Sequence, residues 1–186
     1  MKCAIRLFAK KKQAILLVID EQAGLAPVIT DFAVVVENTS KLLKTASLLD
    51  IPFIFTEQNP IKLGRTSPEL KSFIRSTNMY EKMHFSACVE PGFIHMLAEY
   101  QRPKIVVTGT ESHVCVLQTS LDLIAAGYQV FVVEDAIASR NKQHKALAIK
   151  QLSAAGAIVT CAESVLFQWL EKAGTTQFRT VLQLIK

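Results

Sequence analysis

A chain of 186 residues, half of them apolar and a fifth charged, has the composition of a globular domain large enough for a complete hydrophobic core. The net charge of +5 comes from basic residues spread along the chain without any recognised nucleic-acid motif, so we interpret it mainly as surface charge. No apolar stretch is long enough to cross a bilayer, and the first 13 residues lack the apolar core and cleavage site of a secretory signal.

The cysteines favour a reduced environment. Cys3, Cys88, Cys115 and Cys161 include no close pair, and a chain of this size does not need disulfides. We therefore expect a cytoplasmic protein whose residues 1–186 form a single domain, with residues 1–13 as a solvated basic flank. Organelle targeting by that flank is left open.

The chain alternates apolar strand patterns with amphipathic helix patterns throughout. The predicted strands are Ala14–Asp20, Pro52–Thr56, Tyr80–His84, Lys104–Thr108, Gln129–Glu134 and Ala157–Thr160. Helical spacing predicts helices over residues 32–49, 91–100, 115–126, 142–155, 164–173 and 176–184, with a short helix near 69–74. Alternation of this kind predicts an α/β fold, a three-layer α/β/α sandwich with a Rossmann-like, six-stranded parallel sheet.

Two residues follow strands where ligands bind in such sheets. Asp20 ends the first predicted strand, and Cys115 begins a helix just after the fourth. An acid in that place is either a site residue or a turn cap, and a free cysteine is often only a small buried apolar residue. For Cys115 the predicted first turn of a helix favours the thiolate and therefore a nucleophile. Cys88 and Cys161 are interpreted as structural.

Three segments in a fixed order carry a family resemblance. Leu16–Gln22, Glu81–Ser86 and Gly109–Val116 together resemble the isochorismatase-like cysteine hydrolases. Residues 126–136 and 156–165 are similar to the continuation found in that family. The C-terminal part resembles the branch of isochorismatase-domain-containing proteins.

The resemblance implies a catalytic triad of Asp20, Lys82 and Cys115 that cleaves C–N bonds of amide or carbamoyl compounds. Lys82 would draw no attention by itself, because an isolated lysine is usually a surface charge. Asp20 is then expected to act as the base, Lys82 to hold the carboxylate and stabilise the thiolate, and Cys115 to form a thioester-type intermediate.

The resemblance also implies the rest of the site. The backbone N–H groups of Glu111 and Cys115 are expected to form an oxyanion hole, with a cis peptide bond at Thr110–Glu111. Gln22 and Phe85 are expected to line the substrate pocket.

Two departures from the family patterns exclude some of the reactions that the family catalyses. The metal-binding Asp-x-His of nicotinamidases has no counterpart in residues 56–64, which contain no histidine, so neither a bound metal nor another cofactor is expected. True isochorismatases lack the nucleophilic cysteine, so Cys115 argues against their vinyl ether hydrolysis.

The preferred hypothesis is a metal-independent cysteine hydrolase that acts on a small amide-like substrate. The resemblance also implies a homo-oligomer, either a dimer or a tetramer, and no membrane or nucleic-acid partner is expected. Two alternatives remain open: a nucleic-acid-binding protein or ribonuclease, motivated by the basic charge, and a catalytically silent interaction module of the same fold.

Overall fold

The computed structural model describes residues 7–185, and within them six strands form one parallel sheet. The strands are β1 (Ala14–Ile19), β2 (Phe53–Gln58), β3 (Met79–Lys82), β4 (Lys104–Thr110), β5 (Gln129–Ala138) and β6 (Ile158–Thr160). Their order across the sheet is β3-β2-β1-β4-β5-β6, and every neighbouring pair is parallel. The predicted fold class is confirmed.

Helices cover both faces of the sheet. In the described residues they are α1 (Phe32–Leu48), α2 (Pro60–Leu63), α3 (Phe93–Glu99), α4 (Leu117–Ala125), α5 (Lys142–Ala154), α6 (Ala162–Leu170) and α7 (Thr176–Leu182). Helices α1, α6 and α7 share one apolar cluster with the sheet, and α3, α4 and α5 share a second. This arrangement makes the three layers.

Strand β1 shows why the sheet is central to both clusters. All six of its residues are buried. Because successive side chains of a strand point to opposite faces, Leu16 and Val18 join the α1 cluster, while Leu17 and Ile19 join the α3–α5 cluster. A continuous apolar run is therefore required where helices cover both faces.

The strand order positions the site. Strand β1 pairs with β2 on one side and with β4 on the other. Successive strands are therefore added to one side of β1 up to β3 and to its other side from β4 onward, so the order of strands switches direction between β1 and β4. In open α/β sheets the crevice at such a reversal, outside the carboxyl ends of the strands, is where ligands bind.

Both the turn that carries Cys115 and the basic flank differ from the sequence prediction. Residues Ser112–Val116 form a π-helical turn, and α4 begins only at Leu117, so Cys115 lies in the wider turn and not in the first turn of the α-helix.

The basic flank is not wholly solvated, because Ala9 is buried and its N–H donates to Gln168. Cys3 lies outside the described residues. Across residues 7–185 no helix combines the length and apolarity needed to span a membrane.

Candidate active site

Asp20 occupies the carboxyl end of β1 in a left-handed conformation, with a φ of 52°. Its side chain is buried, and its Oδ1 accepts a hydrogen bond of 2.6 Å from the Thr56 hydroxyl. The backbone N–H of Asp20 also donates to the Thr56 carbonyl of the neighbouring strand. A non-glycine residue with positive φ is uncommon and persists where its surroundings hold it.

Lys82 ends β3, two strands away from Asp20, and its side chain is completely buried. Its Nζ lies 2.7 Å from Asp20 Oδ2 and 2.8 Å from Gln58 Oε1. It also donates to the carbonyl oxygens of His84 and Phe85 at 3.2 and 3.1 Å. A buried ammonium needs such partners, and these four oxygens compensate for the water it has lost.

The two carboxylate oxygens of Asp20 differ in their hydrogen-bond partners. Oδ2 is buried and near the Lys82 ammonium, but no donor in the described residues is aligned on it for a hydrogen bond. Thr56 occupies the other oxygen. Oδ2 is therefore the oxygen best placed to receive a proton.

Cys115 enters the same site from the π-helical turn that follows β4, and only 6 % of its surface is exposed. Burial, followed by the negative charge of Asp20, raises the pKa of the Cys115 thiol to about 12, while Lys82 lowers it. The expectation that the helix terminus favours a resting thiolate is therefore wrong. Desolvation and the adjacent carboxylate raise this pKa by more than the Lys82 ammonium lowers it, so the sulfur rests as a thiol beside the Asp20–Lys82 pair.

A cavity of about 160 Å³ opens onto Asp20 and Cys115, while Lys82 lies behind Asp20 and does not line it. Its polar wall includes Asp20, Gln58, Thr110, Glu111, Cys115 and Arg140, and its apolar wall is made by Leu25, Val28, Leu63, Phe85 and Val114. Phe85 lines it as expected. Four larger cavities, of about 840, 810, 470 and 430 Å³, are lined by none of the three predicted catalytic side chains. Because drug-sized ligands occupy roughly 300–1,000 Å³, the smaller cavity suits only a small group.

The turn between β4 and Cys115 depends on Glu111. This residue has φ 53° and ψ 63°, and its carbonyl accepts a hydrogen bond from Val114 N–H. Its carboxylate lies 3.2 Å from His113 Nδ1 and 3.7 Å from Arg140 Nε. The expectation of a cis peptide bond at Thr110–Glu111 is wrong, since residues 7–185 contain none. The chain reverses instead through the left-handed backbone of Glu111.

Gln22 does not line the cavity. It is fully buried, and its amide bonds to the backbone of Gln58 and to the carbonyl of Gly64. Its role in this arrangement is to hold the carboxyl ends of β1 and β2 together.

Thr56 and Gln58 are the polar neighbours that the sequence analysis missed. Both lie at the carboxyl end of β2, between Asp20 and Lys82. Their position in the sequence could have indicated a place in the site, because polar residues at the end of an apolar strand in this fold face the ligand crevice. Within residues 7–185, no three side chains of His, Cys, Asp or Glu converge as metal ligands.

Comparisons with known proteins identify the family of the chain and agree with its fold. A family model described as the isochorismatase domain matches residues 14–164. The secreted isochorismatase effector Isc1 of Phytophthora sojae is 33 % identical over 177 residues, covering 93 % of this chain and 84 % of that protein. Isochorismatase domain-containing protein 2A of Mus musculus is 34 % identical over 176 residues, covering 94 % and 84 %. The solved structure of MAR1 ribonuclease from Caenorhabditis elegans has a TM-score of 0.88 and 35 % identity, covering 95 % of this chain and 91 % of that one.

Proposed function

Because the chain belongs to the isochorismatase-domain family, we propose that it is a cysteine hydrolase that cleaves the C–N bond of a small amide or carbamoyl compound. The observation that carries the proposal is the Asp20–Lys82 ion pair, buried beside a buried thiol at one cavity. An acid, a cation and a sulfur in that arrangement can supply a base, an orienting charge and a nucleophile.

The first step moves a proton from sulfur to Asp20. The raised pKa of Cys115 means that a free thiolate is rare at neutral pH, so deprotonation accompanies attack on the carbonyl carbon. Oδ2 of Asp20 receives the proton because Oδ1 is held by Thr56. The Lys82 ammonium stabilises the negative charge while it passes from carboxylate to sulfur and then to the substrate oxygen.

The remaining steps use the same groups. The tetrahedral oxyanion accepts hydrogen bonds from the backbone N–H groups of Glu111 and Cys115, which remain a prediction. Protonated Asp20 then gives its proton to the leaving nitrogen, the C–N bond breaks, and a thioester remains on Cys115. Asp20 next takes a proton from water, and the resulting hydroxide attacks the thioester carbon. The C–S bond then breaks to release the acid, and Asp20 returns its proton to the Cys115 sulfur, which regenerates the thiol and the carboxylate.

The cavity defines the size of the substrate. A volume of about 160 Å³ accepts an acyl group of a few heavy atoms, and its wall is more apolar than polar. We therefore expect short amides, ureas or carbamoyl compounds to react faster than bulky ones.

A substrate panel with cysteine variants tests the proposal. Short amides, carbamoyl compounds and nitriles are incubated with the wild type and with Cys115→Ala, and Cys88→Ala serves as the matched control. We expect hydrolysis that is lost in Cys115→Ala and kept in Cys88→Ala, together with an acyl adduct on Cys115 by mass spectrometry. Equal turnover in both variants would overturn the proposal that Cys115 is the nucleophile. No turnover by the wild type would favour the alternative of a catalytically silent interaction module.

A second candidate function is RNA cleavage. It is favoured by the 35 % identity to the protein described as MAR1 ribonuclease and by the net charge of +5. Against it, the cavity is too small for a folded nucleotide chain to enter. RNA cleavage that falls steeply with salt and disappears in Cys115→Ala would establish it, whereas binding or cleavage that is absent at low salt removes it.

The assembled state is proposed to be a homo-oligomer, either a dimer or a tetramer. Met83, Phe85 and Val89 expose more than half of their surface close to the cavity. Exposed apolar side chains grouped in this way mark interaction surfaces more often than isolated ones do.

A further inference from the structure

Glu21 is a buried acid that the proposed reaction does not use. It follows Asp20 directly and is completely buried. Its Oε1 accepts hydrogen bonds from Thr39 of α1 at 2.7 Å and from Thr108 of β4 at 3.1 Å. Its Oε2 is buried without a hydrogen-bond partner in the described residues. Acids are almost never fully buried unless paired, so this position requires an explanation.

In residues 7–185 no charged side chain pairs with the Glu21 carboxyl group. On α1, Glu37 and Lys41 pair with each other, and β4 carries Lys104 at its opposite end. In the segment that follows α2, Arg65 pairs with Glu57 and Glu81, and Glu69 accepts from Ser67. Among the described residues only burial, Thr39 and Thr108 shift the pKa of Glu21, and burial raises it to about 8. At neutral pH the group is therefore an uncharged acid.

The backbone connects this acid to the candidate base. The carbonyl of Glu21 accepts a hydrogen bond from Ser67 N–H at 2.8 Å, and the carbonyl of Asp20 accepts one from Gln22 N–H at 2.8 Å. At this turn Asp20 takes a left-handed backbone conformation, which is unfavourable for a residue other than glycine. Glu21 ties the same turn to α1 and β4, and so opposes relaxation of Asp20.

We propose that Glu21 is a positioning residue whose neutral carboxyl, bonded to Thr39 and Thr108, holds the left-handed turn that directs Asp20 toward Cys115. This inference rests on the proposed function of Asp20. Ionisation of Glu21 places a second buried negative charge beside Asp20 with one oxygen unpartnered. Activity is then lost at alkaline pH for a reason other than titration of the three catalytic groups.

The pH profile of kcat tests this role. For the wild type we expect kcat to fall at least threefold between pH 7.5 and about 9.5. Glu21→Gln keeps an oxygen that accepts from both threonines but does not ionise, so the fall disappears. Glu21→Leu loses both bonds and lowers kcat at every pH. The surface control Glu37→Gln keeps the wild-type profile, and an unchanged alkaline fall in Glu21→Gln would overturn the proposal.

Protein stability provides a readout that needs no substrate. A folded-state pKa raised from 4.5 to about 8 means that the native protein keeps a proton which the unfolded chain loses. Stability is therefore highest below pH 4.5 with respect to this group, and it falls by tenfold in the folding equilibrium constant per pH unit up to about pH 8. Urea unfolding from pH 5 to 8 should show this decline in wild type and Glu37→Gln but not in Glu21→Gln. Equal slopes would overturn the proposal.

Alkylation of Cys115 separates the two proposals. If Glu21→Leu misplaces Asp20, the carboxylate no longer suppresses the thiolate, and iodoacetamide labels Cys115 faster, approaching the rate of Asp20→Asn. An unchanged rate with unchanged kcat sinks the role of Glu21 and leaves the hydrolase intact. A wild type that turns over no substrate sinks the hydrolase, while unfolding and alkylation still decide whether Glu21 is a neutral acid that positions Asp20.

Discussion

At the scale of single residues, the candidate site depends on how one buried carboxylate is partnered. Asp20 receives a hydrogen bond from Thr56 on one oxygen and faces Lys82 with the other. This division keeps the carboxylate oriented and leaves Oδ2 for proton transfer. The thiol that it would deprotonate is kept protonated by burial and by that same carboxylate.

Removing the Thr56 hydroxyl should weaken this orientation. We expect Thr56→Val to lower kcat by about tenfold, equivalent to about 1.4 kcal/mol, because the carboxylate loses a charge-assisted hydrogen bond. Thr45→Val is the matched control, since Thr45 is equally buried but donates to the Lys41 carbonyl in α1. Steady-state kinetics would contradict the assignment if both variants lost the same activity.

Removing the charge of Asp20 should have opposite effects on two measurements. Asp20 raises the pKa of Cys115 and Lys82 lowers it, so Asp20→Asn leaves the lowering influence and increases the thiolate fraction. We expect faster alkylation of Cys115 by iodoacetamide at pH 7–8, together with loss of amide hydrolysis. The exposed control Asp50→Asn should change neither rate. Slower alkylation in Asp20→Asn would show that the carboxylate does not suppress the thiolate.

At the scale of elements, the close pairing of β1 with β4 brings Asp20 and Cys115, the proposed base and nucleophile, together. Ile19, which directly precedes Asp20, pairs with Gly109, which lies two residues before Glu111. A Cβ on Gly109 would lie 2.2 Å from the Ile19 carbonyl oxygen, and its φ is 140°. The register between β4 and β5 also shifts between Val107 and Gly109, just before the cavity-lining residues Thr110 and Glu111.

Substitution of Gly109 tests how tightly these strands must approach. We expect Gly109→Ala to destabilise the fold by about 3 kcal/mol or more, because the new methyl group collides with backbone atoms that cannot move freely. Gly127→Ala is the control, since its φ is 91° but nothing lies within 4 Å of the added Cβ, and it should cost only about 1–2 kcal/mol. The fluorescence of the single, fully buried Trp169 reports urea unfolding. Equal losses of unfolding free energy in Gly109→Ala and Gly127→Ala would contradict the steric collision proposed at Gly109.

At the scale of the whole molecule, two separate apolar clusters hold the three layers together, and the candidate site lies at the carboxyl ends of the central strands β1 and β4. The residues around the site include exposed apolar side chains that the described chain does not cover. The proposed oligomer would bury this surface and reduce the access of water to the cavity.

The mass of the protein in solution tests that proposal. We expect light scattering to give two or four times the monomer mass, because the exposed Met83 and Val89 are covered by another copy. The double variant Met83→Glu/Val89→Glu should shift the mass toward the monomer. Val34→Glu, on the exposed side of α1, should not. A monomeric wild type would contradict the proposal.

The sequence by itself determined the layers and two of the site positions. Burial on both faces makes β1 a continuous apolar run and gives β4 an apolar segment at Ile105–Val107, so the ends of both strands, and with them Asp20 and Cys115, can be located from local pattern. The family resemblance added Lys82, whose polar type by itself predicts only a surface residue.

Only the tertiary structure decided which groups meet. Strand order places β3 and β2 beside β1, and this brings Lys82, Gln58 and Thr56 to Asp20 across long stretches of chain. Local pattern carries no information on strand order, so these partners could not be derived from spacing. The pKa values of Cys115 and Glu21 were also beyond the sequence, because burial and neighbouring charge set them and both arise only when the chain is packed.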